Sequence, residues 1–262
     1  RPAEESEAYE GNAPTAREEL PNVLLITVDG LDAANMSVYG FDVKTTPFLE
    51  ELAPSALVAE NAFANAQGTV GSISSILSGK DPLDLHVLFS NDVLKGVDAT
   101  QHLPGLLKSY GYDTFQLSYS TYTDAYIHNL QGAFDEASGR RYPSSGWFFE
   151  KIDALFSTDN KIFLQEAVDR PLTRLGHVFF VLDMDNPYKQ VTEEGIIKTT
   201  DQQKIDRTLS ILSGAEQPTF IHLHWMGTHG PKYYPEAQVF SKGRPVNVQQ
   251  KYENEFYYDS IL

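Results

Sequence analysis

The sequence contains no cysteine among its 262 residues. Disulfide bridges are therefore excluded, and the redox compartment cannot be inferred from cysteine usage. No apolar run approaches the roughly 20 residues of a membrane-spanning helix, so no membrane contact is expected within this chain. The sequence begins with Arg1 rather than methionine. We expect it to be part of a longer protein, in which a signal or membrane anchor can lie upstream.

Positive charge is also scarce, with 20 Lys and Arg against 36 Asp and Glu and a net charge of −16. A surface of this sign repels a phosphate backbone, which argues against a nucleic-acid partner. A small phosphate or sulfate ester remains compatible, because a local site can oppose the overall field. The motifs GxxxxGK[ST], GxGxxG and GxSxG do not occur near a strand–helix junction. Nucleotide-binding and serine-hydrolase interpretations therefore have no support.

The composition divides the chain into two parts of unequal length. Residues 1–20 are acidic and lack apolar periodicity, which is typical of a solvated tail or linker. Residues 21–262 alternate between short apolar runs and helical patterns, which predicts one α/β domain with a largely parallel sheet and helices on both faces. The predicted strands are 22–28, 57–63, 114–119, 177–182 and 219–225. The predicted helices are 46–52, 69–78, 102–110, 145–156, 161–168, 201–212 and 247–262.

Three polar positions are expected at one edge of this sheet, because sites in such folds lie beyond the carboxyl ends of the strands. Asp29 follows the apolar run of residues 22–28. It is either a turn former before Gly30 or a metal ligand, since a bare carboxylate beside a buried strand needs a partner. The stretch NAQGTVGSISSILSG, residues 65–79, and the loop MGTHG, residues 226–230, supply the other two positions.

Thr69 begins the helix in that stretch, with Val70, Ile73, Ile76 and Leu77 predicted to form its apolar face. A threonine there serves either as the N-cap or as a nucleophile beside an anion held at the helix N-terminus. The nucleophile interpretation requires a nearby cation, because a threonine hydroxyl is weak until its pKa is lowered. The helix alone does not distinguish these roles.

Histidines and a pair of aspartates provide further candidates. His222 and His224 alternate on one strand and face the same side, either as a metal-binding pair or as packed histidines of the sheet. His229 lies in a loop past the strand end and is the better candidate for substrate contact. Asp183 and Asp185 follow a predicted strand and fit either turn carboxylates or a ligand pair.

These segments, in their order, resemble the N-terminal half of a sulfatase of the alkaline phosphatase superfamily. The resemblance rests on PNVLLITVDGLDAANMSVYG, TTPFLEELA, NAFANAQGTVGSISSILSG, LPGLLKSYGYDTFQL and TFIHLHWMGTHGPKYYP. It implies a three-layer αβα sandwich, alkaline-phosphatase-like and truncated at its C-terminus. It also implies Asp29 and Thr69 as ligands of a divalent metal ion such as Zn, Mn or Ca, Thr69 as the nucleophile and His229 as a substrate contact. Many such proteins act outside the cytoplasm behind a membrane anchor.

The sequence departs from the sulfatase pattern in ways that shift the expected chemistry. Sulfatases carry Cys or Ser at the nucleophile, followed by proline and arginine, and they place a second aspartate after the first. This chain has Thr69, Ile73 at the arginine position and Gly30 at the second aspartate. The later Asp-His pair that completes the family's metal site is also absent before Leu262. We therefore expect a phosphate- or sulfate-ester hydrolase or phosphotransferase whose metal site is incomplete in these residues. A non-catalytic domain on the same scaffold is the alternative.

Overall fold

The computed structural model describes residues 20–89, 92–119, 123–125, 128–138, 140–141, 196–230, 233, 235, 238–242 and 254–262. The strands are β1 (Val23–Val28), β2 (Asp113–Leu117), β3 (Glu136–Ala137), β4 (Arg140–Arg141) and β5 (Thr219–Trp225). The helices are α1 (Pro47–Leu52), α2 (Thr69–Ser78), α3 (Pro82–Leu85), α4 (Leu103–Ser109), α5 (Ile196–Ser213) and α6 (Asn254–Ile261). Short 3-10 turns occupy Ala33–Asn35, Ser37–Tyr39, Ala53–Ser55 and Gly96–Ala99. In these ranges, no helix combines the length and apolarity needed to cross a bilayer.

The strands form one sheet in the order β1-β5-β2-β3-β4. The pairs β1–β5, β5–β2 and β2–β3 are parallel, and the short β4 runs antiparallel to its neighbour β3. The prediction of a largely parallel sheet is therefore confirmed. Because β1 and β5 are parallel neighbours, the residues that follow them emerge at the same edge of the sheet.

Apolar side chains cover both faces of β5 because successive residues of a strand point to opposite sides. Phe220 packs in a core cluster with Val70, Ile73 and Leu77 of α2. Ile221 and Leu223 pack on the other face in a cluster that also contains Ile211 of α5 and Leu117 of β2. Each fully buried side chain of this size contributes about 1.5–3 kcal/mol to folding. The predicted α/β architecture with helices on both faces is thus confirmed.

Helix α2 begins and ends as predicted. Its C-cap is Gly79, whose φ of +70° suits a glycine and whose N–H donates to the Ser75 carbonyl. Val70, Ile73 and Leu77 are buried, whereas Ile76 is 44% exposed. The predicted apolar face is therefore narrower than expected, because Ile76 lies about 100° around the helix from Leu77.

Two predictions about strands are wrong in the part of the chain that the structure describes. Residues 57–63 form no strand, and the side chains of Leu57 and Phe63 are 100% and 86% exposed. An apolar run becomes a strand only where a neighbour satisfies its backbone groups. Strand β1 forms, but Leu24 and Ile26 are 43% and 41% exposed rather than buried, because β1 lies at the edge of the described sheet.

The other predicted elements differ mainly at their ends. Helix α4 starts at Leu103 because His102 is its N-cap and accepts a hydrogen bond from the Gly105 N–H. The predicted helix 201–212 extends over Ile196–Ser213, and the predicted strand 114–119 spans Asp113–Leu117. Several predictions fall outside the described residues. These are residues 1–19 of the predicted tail 1–20, the predicted elements at 145–156, 161–168 and 177–182, and residues 247–253 of the predicted helix 247–262.

Helix α6 is anchored by one carboxylate. Asp259 is 4% exposed and accepts hydrogen bonds from the backbone N–H groups of Val239, Phe240 and Ser241 and from the Ser241 hydroxyl. Burial raises the pKa of Asp259, but these donors outweigh it and hold the pKa below its ordinary value. The carboxylate is therefore ionised at neutral pH and ties α6 to residues 239–241.

We predict that Asp259→Ala lowers the free energy of unfolding at pH 7 by about 3 kcal/mol, because several buried donors lose a charged acceptor. Urea denaturation measures the change, with Glu216→Ala in an exposed loop as the control. A depressed carboxyl pKa stabilises the fold above the unfolded-state pKa of 3.8 and loses that effect as the pH falls through the folded-state pKa. The difference between wild type and Asp259→Ala should therefore shrink below pH 3.8. Equal stabilities at pH 7 would show that α6 is anchored in another way.

Candidate functional site

Asp29 and Thr69 meet at the carboxyl edge of the sheet. Asp29 directly follows β1, and its backbone N–H donates to the Trp225 carbonyl of β5 at 2.9 Å. The Thr69 hydroxyl donates to Asp29 Oδ2 at 2.8 Å across 40 residues of sequence. The Thr69 hydroxyl is therefore turned towards Asp29 rather than into the core.

Thr69 is the first residue of α2, and the N-cap is Gly68. No side-chain capping hydrogen bond is formed at this end, so the interpretation of Thr69 as the N-cap is wrong. The first backbone N–H groups of a helix have no partner within it and carry partial positive charge. The hydroxyl of Thr69 therefore lies beside a helix terminus that favours an anion.

Asp29 is ionised in this setting. Its side chain is 16% exposed, and burial raises its pKa. Contacts with His224 and Thr69 and the nearby His229 outweigh that effect and hold the pKa of Asp29 below its ordinary value. A carboxylate with a lowered pKa is a good cation ligand and a weak proton acceptor.

The histidine loop after β5 packs directly against the turn after β1. The Thr228 hydroxyl donates to the Asp29 carbonyl at 2.5 Å. Gly30 has a φ of +71°, and a Cβ at this position would lie 2.7 Å from the Thr228 carbonyl oxygen and 3.4 Å from His229 Cα. Asp29 and His229 therefore share one rim, as expected from the parallel pairing of their strands. The close approach leaves room only for glycine at position 30.

Both strand histidines are buried, but they differ in what they face. His222 is fully buried, and burial, with His224 and Lys204 nearby, lowers its pKa to about 3. His224 Nε2 lies 3.6 Å from Asp29 Oδ2 and has no hydrogen-bond partner in the described residues. The interpretation of both histidines as packed residues of the sheet missed this approach of His224 to the site.

Behind the loop, a buried charged group holds the backbone of β5. Lys204 Nζ donates to the His224 carbonyl at 3.0 Å and lies 3.3 Å from Asp201 Oδ1. Asp201 accepts hydrogen bonds from the Met226 N–H and the Tyr119 hydroxyl. Burial lowers the pKa of Lys204 to about 8 although Asp201 opposes that shift. These side chains come from α5 and the region after β2, so they fix the loop from the face opposite Thr69.

Tyr257 of α6 fastens the other side of the rim. Its hydroxyl donates to the Gly30 carbonyl and accepts from the Asp32 N–H, both at 2.8 Å. The turn that carries Asp29 is therefore held by the histidine loop and by α6. Neither Tyr257 nor Lys204 carries a motif that would have identified it from the sequence.

The residues at this rim fit a divalent cation in part. Asp29 Oδ2 and Thr69 Oγ1 are hard oxygen donors 2.8 Å apart, as two ligands of one ion would be. Within the described ranges, no group of three or more His, Cys, Asp or Glu side chains is placed to hold a metal. Asp183 and Asp185 lie outside those ranges.

The sulfatase family model matches residues 21–259. An N-acetylgalactosamine-6-sulfatase from Sus scrofa is 24% identical over 199 residues, which cover 61% of this chain and 37% of that enzyme. The chain thus spans little more than a third of this curated relative.

Solved structures share the fold. The C-terminal periplasmic domain of EcEptC from Escherichia coli, also solved in complex with Zn, matches with a TM-score of 0.53 at 16% identity over 98% of this chain and 57% of that one. The integral membrane protein lipooligosaccharide phosphoethanolamine transferase A from Neisseria meningitidis matches with a TM-score of 0.51 at 15% identity over 95% and 37%. A protein of the alkaline phosphatase superfamily from Vibrio parahaemolyticus matches with a TM-score of 0.53 at 15% identity over 94% and 49%. The alkaline-phosphatase-like fold is therefore confirmed.

We predict that Gly30→Ala lowers the free energy of unfolding by about 2–4 kcal/mol, because strain at positive φ adds to a clash with the Thr228 carbonyl. Gly40→Ala is the matched control, since Gly40 has a φ of +93° and an added Cβ would meet no atom within 4 Å. It should cost only about 1–2 kcal/mol of strain. Urea denaturation measures both variants. Equal losses would mean that the contact between the two loops is dispensable.

Proposed function

This chain belongs to the sulfatase family, and we propose that its parent is a metal-dependent enzyme acting on phosphate esters, with Thr69 as the nucleophile. The contact that supports this proposal is the 2.8 Å hydrogen bond between Thr69 Oγ1 and Asp29 Oδ2 at the N-terminus of α2. Thr69 does not cap the helix, and its hydroxyl donates to the Asp29 carboxylate instead.

Asp29 and Thr69 would hold a divalent ion at this rim. When bound, such an ion lowers the pKa of the threonine hydroxyl and neutralises charge on the ester. The Thr69 hydroxyl needs such an ion, because the lowered pKa of Asp29 makes its carboxylate a weak base for the hydroxyl proton. Zn, Mn and Ca are all compatible with two oxygen ligands.

Thr69 then attacks phosphorus in line with the leaving oxygen. The Oγ–P bond forms, the bond to the leaving oxygen breaks, and the hydroxyl proton passes to solvent. The backbone N–H groups at the start of α2 stabilise the non-bridging oxygens. His229 on the facing loop donates a proton to the leaving oxygen. Water or an acceptor alcohol then attacks the phosphothreonine and regenerates Thr69.

Phosphate is the preferred substrate class over sulfate. The formylglycine route of sulfatases starts from Cys or Ser, and position 69 is threonine with Ile73 in place of the family's arginine. An unmodified hydroxyl suits transfer of a phosphoryl group through a covalent ester. Hydrolysis and transfer to an acceptor share this first step, so both remain within the proposal.

We also propose a location for the longer protein of which this chain is a part. The neighbours include a periplasmic domain and an integral membrane protein. We place the parent outside the cytoplasm, with residues 1–20 as a linker from a membrane anchor and residues 21–262 as the N-terminal part of the catalytic domain. The acidic composition of residues 1–20 suits such a linker.

We predict that an aryl phosphate labels Thr69 in the whole protein that carries these residues. Rapid acid quenching and peptide mass spectrometry should detect phosphothreonine at position 69, lost in Thr69→Ala and replaced by phosphoserine in Thr69→Ser. The corresponding aryl sulfate should give no adduct. Absence of any label in a folded, metal-loaded protein would favour the non-catalytic alternative.

We further predict weak metal binding by the 262-residue chain, with a Kd of about 0.1 mM or higher, because two protein oxygens replace few of the ion's waters. Calorimetry with zinc, manganese and calcium measures it. Asp29→Ala should abolish the binding, whereas Asp113→Ala at the opposite end of the sheet should leave it unchanged. Tight one-to-one binding lost in Asp29→Ala would show that these residues already hold a complete site.

A further inference from the structure

A continuous row of polar side chains crosses the sheet towards Asp29. Gln116 of β2 lies opposite His222 of β5, and Thr27 of β1 lies opposite His224. Gln116 and His222 are fully buried and His224 is 2% exposed. Along such a row, each donor needs an acceptor, so a bond of fixed direction at one end sets the direction of the next.

The first member is held in one orientation by backbone groups. Gln116 Nε2 donates to the Thr123 carbonyl at 2.7 Å, and the Ala125 N–H donates to Gln116 Oε1 at 2.8 Å. A carbonyl only accepts and an N–H only donates, so the amide cannot be reversed. The second Nε2 hydrogen then points to His222 Nδ1, 3.2 Å away, and this nitrogen must accept.

The remaining bonds follow in sequence. A neutral His222 that accepts at Nδ1 carries its proton on Nε2, which lies 3.0 Å from Thr27 Oγ1. Thr27 accepts this bond, and its own hydrogen is then available to His224 Nδ1, 2.8 Å away. A His224 ring that accepts at Nδ1 carries its proton on Nε2. That N–H faces Asp29 Oδ2 at 3.6 Å and has no other partner in the described part of the chain.

We propose that His224 is a positioning residue for Asp29, held as its Nε2–H tautomer by the relay Gln116–His222–Thr27. The imidazole N–H orients Oδ2, the same oxygen that accepts the Thr69 hydroxyl. A carboxylate that binds a metal is commonly oriented by polar groups outside the ligand shell, and losing one costs about 10–100-fold in metal affinity. The inference rests on the proposed metal role of Asp29, but the tautomer is a property of the metal-free chain.

Nuclear magnetic resonance tests the tautomer directly. Long-range correlation of imidazole protons with ¹⁵N in the metal-free 262-residue chain should show His222 and His224 each with a bare Nδ1 and a protonated Nε2. Thr27→Val keeps the β-branched shape and removes the hydroxyl, so His224 should lose its single tautomer. Thr27→Ser should restore it. A wild-type His224 with a protonated Nδ1 and a bare Nε2 would overturn the inference.

Zinc affinity tests the consequence for Asp29. Calorimetry should show a Kd about 10-fold higher in Thr27→Val and close to wild type in Thr27→Ser. Thr114→Val is the matched control, because this buried threonine donates to Asp135 outside the relay. An affinity that falls in Asp29→Ala but not in Thr27→Val overturns only this inference. An affinity that resists both substitutions overturns the proposed metal role, and this inference with it.

Discussion

The parallel pairing of β1 with β5 is the constraint on which the rest of the site depends. It aligns residues that are about 200 positions apart in sequence, so that Asp29 and the histidine loop leave the sheet side by side. The register also sets Thr27 opposite His224. A slip by one residue would turn every side chain of β5 to the other face and remove His224 from Asp29. Gly30 allows the turn after β1 to contact the histidine loop, and this contact exists only because β1 and β5 are paired.

The second requirement is that a helix starts where the first strand ends. The N-terminus of α2 is set by Gly68 and by the packing of Val70, Ile73 and Leu77 against the sheet. That packing leaves the Thr69 hydroxyl free to meet Asp29, because Thr69 lies at the helix end rather than on its buried face. The apolar core thus determines the geometry of a polar contact without including either residue.

The sulfatase fold is retained here, and three positions carry other residue types than the family pattern. Thr69 replaces the family's Cys or Ser, Ile73 its arginine and Gly30 its second aspartate. The glycine at position 30 has a structural explanation, because its positive φ and the close approach of Thr228 exclude a side chain. The pair of Asp29 and Thr69 therefore differs from the sulfatase pattern in charge and in residue type, and under the proposed function this difference favours phosphoryl chemistry by an unmodified hydroxyl.

The sequence by itself determined the α/β class, the positions of β1, β5 and α2, and the candidates Asp29, Thr69 and His229, because periodicity and strand-end turns are local signals. It did not determine that residues 57–63 lack a strand partner or that β1 lies at the edge of the described sheet. Only the tertiary structure decided the role of His224. Its alternation with His222 was visible, but which strand lies beside it is a matter of long-range pairing. Burial, tautomer and the approach to Asp29 all follow from that neighbour.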